Sequence, residues 1–506
     1  MPLNGGVPNP SLIALLRADL ESAGLSVETL SDLWGADAAA ALRRGHRLPA
    51  QRATTTPSPR ATLARLFVLG LPVERTGLEA ALPALGVDGA VTLGLVGGDD
   101  LVHPLLDLRP YSFVDDHGVG AWWIASDLGE TALGGALRED HVLGIGGAST
   151  TLSSLMIHRR VGLALDLGTG CGIQAMHASR HADRVIATDI SARAIELARF
   201  NAELNAIANI EFRLGDLFAP VEGIRFDHIV SNPPFVITPR AERVPAYEYR
   251  DGGMVGDDLV AAVVGGIAEH LAPGGIAQLL GNWEYRAGSD AFDRIGSWLD
   301  RASLPLDAWV IEREEQDAAL YAETWIRDGG TLPGPDFDRL YSAWLDDFAD
   351  RGVRAVGFGY VLLRAPAGTQ ALRRLERLPG QLGHNPIGLG GHLLECLSAH
   401  DWLTGVDDWA IGRSHLTAAA DVTEERHYWP GAEDPTVMTL HQGGGFGRSV
   451  QLDTGLAAFV GACDGDLPVV AIIEAIAQLL EVDATALHRE LLPAVRELIL
   501  TGFLTV

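Results

Sequence analysis

The chain has 506 residues, 47% of them hydrophobic and 21% charged, a composition that excludes wholesale disorder and leaves room for several globular domains. Its net charge is -28 and all 38 basic residues are arginine, which weighs against broad nucleic-acid binding because an acidic surface repels phosphate backbones. No apolar run approaches the ~20 residues of a membrane span, the N-terminus lacks signal-peptide order, and Cys171, Cys396 and Cys463 suit neither a disulfide framework nor a metal site, so a cytoplasmic protein without metal is expected.

Residues 9–43 and 60–86 space their apolar side chains as helices do ("PSLIALLRADLESAGL", "ATLARLFVLGLP"), with the loop "RATTTPSPR" between them. Strand-like runs follow, "AVTLGLV" and "AWWIASD". A helical, winged-helix-like domain over residues 1–135 is expected. Six arginines, Arg43, Arg44, Arg47, Arg52, Arg60 and Arg65, lie between Asp37 and Glu74 with no acid among them. The strip reads either as a solvated surface or as a docking strip for RNA or an acidic peptide.

From 136 to 366, strands and helices alternate as a parallel α/β sheet requires. "VGLALDLGTGCGIQAMHA" is an apolar strand, Leu163 to Leu167, then a glycine turn, then a helix from about Ile173. Gly168, Gly170 and Gly172 let the backbone approach a ligand with no Cβ in the way. A dinucleotide loop reads G-x-G-x-x-G and cradles a pyrophosphate. Here Asp166 precedes the glycines, and a carboxylate there repels a phosphate but suits a cationic amino-acid end. Asp189 ends the next strand, "RVIATD", where an acid can accept both hydroxyls of a ribose. Asp216 in "RLGDLF" ends another, placed for an adenine amino group. Any one of these acids alone reads as a helix N-cap. Three in register around one glycine loop read as a ligand site.

The fourth strand, "FDHIV", runs into Asn232, Pro233, Pro234 and Phe235. The prolines donate no backbone hydrogen bond and stiffen the corner. In isolation the tetrapeptide is a rigid turn with a core phenylalanine. In this place, the Asn232 side-chain oxygen and the Pro233 carbonyl can accept both protons of a planar NH2 group, and Phe235 can stack on its plane. Farther on, "YRDGGMVGDDLVAAVVGGIAEHLAPGGIAQLLGNW" reads as a glycine-rich linker into a helix capped by Asp257 or Asp258. An insertion at about 314–352 separates "LDAWVIERE" from "AVGFGYVLLR" and carries Tyr321, Trp325, Phe337, Tyr341, Trp344 and Phe348. The helical spacing of Tyr341, Trp344 and Phe348 suits core packing, and its place suits shaping a substrate site.

Residues 370–506 offer a Gly/His/Pro stretch, a hairpin "TVMTLHQGGGFGRSVQLD" and three helical runs, "GLAAFVGA", "VVAIIEAIAQLL" and "TALHRELLPAVRELIL". A winged-helix-like α+β domain is expected. His392, His415, His427 and His441 lack metal-ligand spacing.

Over residues 140–312, "LDLGTGCG", "ATDIS", "GDLF", "SNPPF" and "LAPGG" resemble the motifs of class I S-adenosylmethionine-dependent methyltransferases. The resemblance implies a seven-stranded Rossmann-like sheet and S-adenosylmethionine as cofactor. By it, Asp166, Gly168, Gly170 and Gly172, with Thr169 and Cys171, surround the methionine part. Asp189 and Ile190 lie at the ribose, Asp216 and Leu217 at the adenine, and Asn232, Pro233, Pro234 and Phe235 at the methyl acceptor, with Asn232 also touching the cofactor. The tetrapeptide resembles that of enzymes methylating glutamine amides in proteins or amino groups of adenine, guanine or cytosine, with Phe235 in place of the tyrosine usual in the glutamine group. "YRDGGMVGDDLV" is similar to the segment after the motif in release-factor glutamine methyltransferases, and "VLGIGGAST" to a loop closing over the cofactor. The expected activity is methyl transfer to a planar amide or exocyclic amino nitrogen of a macromolecule, a protein or peptide ahead of an RNA or DNA base, with both flanking domains gripping substrate. A cofactor-sensing DNA-binding regulator and a small-metabolite methyltransferase are the other readings.

Overall fold

The computed structural model describes residues 9–133, 137–241, 244–245, 247–366 and 372–506. They form two compact units, one of residues up to 153 together with 159–365, the other of 154–158 with 366–506. The expected boundary near residue 135 therefore divides no compact bodies, and the physical reason is a shared core. Leu20, Phe67 and Trp122 belong to the same buried cluster as Ile173, Met176 and Phe200.

Seven strands of the first unit build one sheet: β1 (Val161–Leu167), β2 (Ala182–Asp189), β3 (Ile210–Leu214), β4 (Phe226–Ser231), β5 (Leu271–Arg286), β6 (Asp307–Asp317) and β7 (Val353–Arg364). They run in the order β3-β2-β1-β4-β5-β7-β6. The first five pair in parallel, and β7 is antiparallel to both β5 and β6. Ala164, Leu165, Ile229, Val230, Ala277 and Leu279 are all buried, as continuous apolar runs in a sheet covered on both faces require. The covering helices are α1 (Ile173–Ala178), α2 (Ala192–Leu204), α3 (Asp258–His270), α4 (Ala291–Asp300), α5 (Ala318–Asp328) and α6 (Pro335–Asp350). Strand order reverses between β1 and β4, so a crevice opens at the carboxyl ends of those strands.

Upstream of the sheet, helices occupy Pro10–Ser22 and Val27–Arg43, and an antiparallel pair is formed by Leu106–Asp115 and Gly118–Asp127. The run "AVTLGLV", expected as a strand, instead continues the helix Gly86–Thr92 and leaves only Val96–Gly97 extended. Val87 and Ala90, three apart, are both buried, and that spacing overrides the run's apolar appearance. Asn201 fixes this region to the sheet. Its Oδ1 accepts from the Ala125 N–H at 2.8 Å, and its Nδ2 donates to the carbonyls of Ala125 at 2.9 Å and Cys171 at 2.8 Å. One turn later, Asn205 makes the same pair of bonds to Trp123. Two side-chain amides on one helix thereby stand in for a neighbouring strand along alternate residues.

The insertion helices α5 and α6 bury Tyr321, Trp344 and Phe348 in one cluster with Val236 and Ile237, and Tyr341 packs against it. Core packing accounts for that aromatic spacing. In the second unit, the hairpin Val437–Gln442 with Ser449–Leu452 forms, and Thr454–Gly461, Val469–Leu480 and Ala484–Leu500 are helices around Phe459, Ile473, Val495 and Phe503. His392 is half-buried there, and its desolvation pushes the imidazole down to about 4, so the ring is neutral. Among the described residues, no helix is long and apolar enough to cross a membrane, and no three His, Cys, Asp or Glu side chains gather to hold a metal ion.

Candidate functional site

A cavity of about 350 Å³ opens where the strand order reverses, walled by the ends of β1, β2, β3 and β4 through Gly168, Asp189, Asp216 and Asn232. Gly168 and Gly170 have φ of +76° and +55°, and no atom lies within 4 Å of where a Cβ would stand on either. Gly172 does a different job. At φ +90°, its missing Cβ would lie 3.0 Å from the Ala198 Cβ, so it permits α1 and α2 to pack closely.

Asp166 was expected at the ligand, but it is fully buried beneath the loop and absent from the cavity wall. Its Oδ2 accepts from the Thr169 hydroxyl at 2.6 Å and the Ala175 N–H at 2.8 Å, which ties that oxygen into the turn, while its Oδ1 is buried with no partner among the described residues. Burial pushes its carboxyl up to about 7. Thr169 and Cys171 line the cavity. Burial pushes the Cys171 thiol up to about 11, which keeps it protonated and disqualifies it as a nucleophile.

Asp189 lines the cavity and accepts from the Gly170 N–H and the Ser191 N–H, each at 2.9 Å. Burial raises its carboxyl above the ordinary range. Its backbone carbonyl accepts from the Gly215 N–H at 2.9 Å, which ties the ends of β2 and β3 together. Ile190 lines the cavity while 64% exposed. Asp216 and Leu217 complete that side, and Leu217 holds φ +42°, a left-handed conformation uncommon for a branched side chain and concentrated at functional sites.

On the opposite side stand Asn232, Pro233 and Pro234. The Ser231 hydroxyl donates to the Leu167 carbonyl at 2.7 Å, which locks the end of β4 to that of β1. The Asn232 Oδ1 is buried and has no hydrogen-bond partner among the described residues. Phe235 is displaced from its expected role. It leaves the cavity wall, forms a bridge with Asp251 and packs edge-on against Phe358 with centroids 6.4 Å apart. The Val236 N–H donates to the Arg250 carbonyl at 2.7 Å, and this pairing turns the ring toward the insertion.

Several wall residues escaped the sequence reading: His141, Gln174, Glu248, Tyr249 and Asp251. Glu248, Tyr249 and Asp251 sit around the quoted "YRDGG" segment, whose glycines signalled a backbone bend without showing where it points. Asp251 is held by the Arg240 guanidinium, and both Tyr249 and Arg250 bond Asp328 on α5. Gln174 donates to the Ser149 carbonyl at 2.8 Å, which joins α1 to the stretch "VLGIGGAST". Burial lowers the His141 imidazole, leaving it neutral.

With this geometry established, residues 144–246 match the family model described as methyltransferase small domain. The central domain is a class I S-adenosylmethionine-dependent methyltransferase domain. Two further family models, both of domains of unknown function, match residues 22–103 and 395–506. The methyltransferase domain is similar to a release factor glutamine methyltransferase of Moorella thermoacetica, 35% identical over 150 residues, covering 28% of this chain and 53% of the relative. It is also similar to a ribosomal protein uL3 glutamine methyltransferase of Bradyrhizobium diazoefficiens, 34% identical over 28% of this chain and 46% of the relative. A ribosomal RNA small subunit methyltransferase C of Salmonella arizonae is 28% identical over 43% of this chain and 58% of the relative. The chain thus spans about half the length of these relatives.

The cofactor of the methyltransferase domain is S-adenosylmethionine, and the wall chemistry fits it. The space left by two absent Cβ atoms admits an aliphatic chain against backbone. Asp189 and Asp216 offer carboxylate oxygens to hydroxyl and amino donors, and among the described residues the lining presents no arginine to repel a sulfonium.

Proposed function

We propose that this chain transfers a methyl group to a planar amide nitrogen, with a glutamine-type side chain of a protein or peptide as acceptor. The observation that carries this reading is the Asn232 Oδ1, buried, without a partner and on the cavity wall beside the glycine loop. A buried carbonyl oxygen left unpaired costs about 1–3 kcal/mol, a cost that an incoming N–H donor removes. An amide nitrogen is a poor nucleophile because its lone pair is delocalised. Asn232, with the Pro233 carbonyl, would hold both NH2 protons and orient the lone pair along the line of transfer. S-adenosylmethionine, when bound, supplies the electrophilic methyl on a sulfonium that is already a good leaving group. Glycines 168 and 170 with Thr169 and Cys171 would hold its methionine part, Asp189 with Ile190 the ribose, and Asp216 with Leu217 the adenine. Asp166 would act by fixing the loop.

Four carboxylates on the wall, Asp189, Asp216, Glu248 and Asp251, and the net charge of -28 favour a protein over a nucleic acid. A nucleobase acceptor is the second reading, favoured by the ribosomal RNA methyltransferase likeness, which covers the larger share of this chain, and by the exposed Arg43, Arg44 and Arg52. The other three arginines of that strip are spent locally, Arg47 on the Leu69 carbonyl, Arg60 on that of Ala23 and Arg65 on that of Gln51. Both flanking regions set helices beside a small antiparallel sheet, and we read them as winged-helix-like grips on a macromolecule acting in the cytoplasm.

Incubation with radiolabelled cofactor and fractionated cell extract tests this. Label in protein that Asn232→Ala abolishes supports the reading. Label confined to RNA transfers the case to the nucleobase, and no Asn232-dependent label in any fraction overturns methyl transfer.

A further inference from the structure

A second cavity, about 640 Å³, lies between α3 and α4, away from the methyltransferase site. Its lining gathers Arg286, Arg294, Arg301 and Arg351 against a single carboxylate, Asp258. In a chain of net charge -28, four guanidinium groups on one concave surface need a reason.

Part of that reason is structural. Asp257 and Glu284, whose side chains are fully buried, hold three of the arginines from behind. Arg294 pairs with Asp257, Arg286 with Glu284 at 2.6 Å, and Arg351 with Glu284 and Asp347. These pairs fix the guanidinium planes and leave each arginine with unspent N–H donors, since the group carries five. Arg301 is the exception. Among the described residues it makes no ion pair and bonds only Ser297, through the backbone oxygen at 3.0 Å and the hydroxyl at 3.1 Å. The α3 side is floored by Ala261, Ala262 and Gly265, and a Cβ on Gly265 would meet nothing within 4 Å. Small residues facing held guanidinium groups make a groove in which a planar oxyanion can be bonded two-pronged.

We infer that this groove is a binding site for a small ligand bearing a phosphate or carboxylate group. Arg301 supplies the uncommitted charge, and Arg286 and Arg294 supply fixed donors. The helix α3 is a wall common to both cavities, for Leu259 and Val263 line the methyltransferase cavity while Asp258, Ala261 and Ala262 line the groove. The inference does not rest on methyl transfer.

The test is calorimetric titration of the full chain with pyrophosphate and, separately, citrate at about 0.15 M salt, where exposed charges are largely screened. One saturable equivalent is expected, with Arg301→Ala weakening it about tenfold and Ser297→Glu abolishing it. S-adenosylmethionine binding, measured on the same samples, is expected to survive in both variants and so reports that they fold. Tighter pyrophosphate binding identifies a phosphate ligand, and tighter citrate binding a carboxylate. No saturable binding of either probe, or wild-type affinity in both variants, overturns the site.

Discussion

The hydroxyl of Tyr321 accepts the Ile237 N–H at 2.9 Å and so fastens the insertion helix α5 to the chain two residues beyond Phe235. Tyr321 is fully buried, stacks on Phe358 and also receives a bond from Asn282 at 3.0 Å. The insertion thus braces the corner from outside the cavity. Replacing Tyr321→Phe removes one oxygen and keeps the packing. We expect a stability loss of about 1–2 kcal/mol by denaturant unfolding, and a fall in the rate of methyl transfer at unchanged cofactor affinity. Equal rates would deny the brace any part in positioning the acceptor.

Asn232→Ala is expected to lower methyl transfer by at least about 100-fold while cofactor affinity changes less than about threefold, the pattern of a group that contacts only the acceptor. Initial rates and calorimetry measure the two separately. Parallel loss of both would move Asn232 to the cofactor.

The glycine loop offers a paired comparison. Gly170→Ala places a methyl in open cavity space at a left-handed backbone position, and about tenfold weaker cofactor binding is expected with a modest stability cost of about 1 kcal/mol. Gly172→Ala meets Ala198 at 3.0 Å, so it should cost stability first, seen as a lowered Tm even without ligand. Identical behaviour of the two variants would refute the division of labour.

Asn201→Leu leaves the Ala125 N–H and the Ala125 and Cys171 carbonyls without their partner. A loss of about 3 kcal/mol is expected, because several buried polar groups are stranded together. Chemical denaturation of the full chain measures it, and a near-neutral result would show that the strand pair is anchored elsewhere.

In the second unit, burial alone would raise the Glu376 carboxyl, but Arg448 and Arg374 outweigh it and hold it down at about 2, against an ordinary value of 4.5. The stability this confers is complete above pH 4.5 and lost as pH falls toward 2, where the folded carboxylate protonates. About 2 kcal/mol is at stake once solvent screening is allowed for. Glu376→Gln should flatten unfolding against pH across that window and leave the slope at neutral pH unchanged.

Much of the site was legible because strand ends and glycines are written locally. Asp189, Asp216 and Asn232 each follow an apolar strand, and strands in a parallel sheet deliver their ends to one edge. Asp166 belongs to the same pattern, yet sequence spacing cannot separate a residue facing the ligand from one facing the turn beneath it, for both are one residue from Leu167. Phe235 misled for a related reason. Its neighbours are on the wall, but the bridge to Asp251 and the Val236 bond to Arg250 rotate it away, and those partners lie some 15 residues downstream.

Alternating periodicity, the run of glycines after an acid, and paired prolines after a strand were enough to determine the α/β class and to mark the glycine loop, Asp189, Asp216 and Asn232 that share one cavity, since each depends on a few adjacent residues and their backbone preferences. The brace of Tyr321 on Ile237, the asparagine pair that fuses the N-terminal region to the sheet, and the four arginines between α3 and α4 came only with tertiary structure. Each joins residues dozens of positions apart, and such contacts are settled by which faces pack together, a quantity that no short stretch of chain encodes.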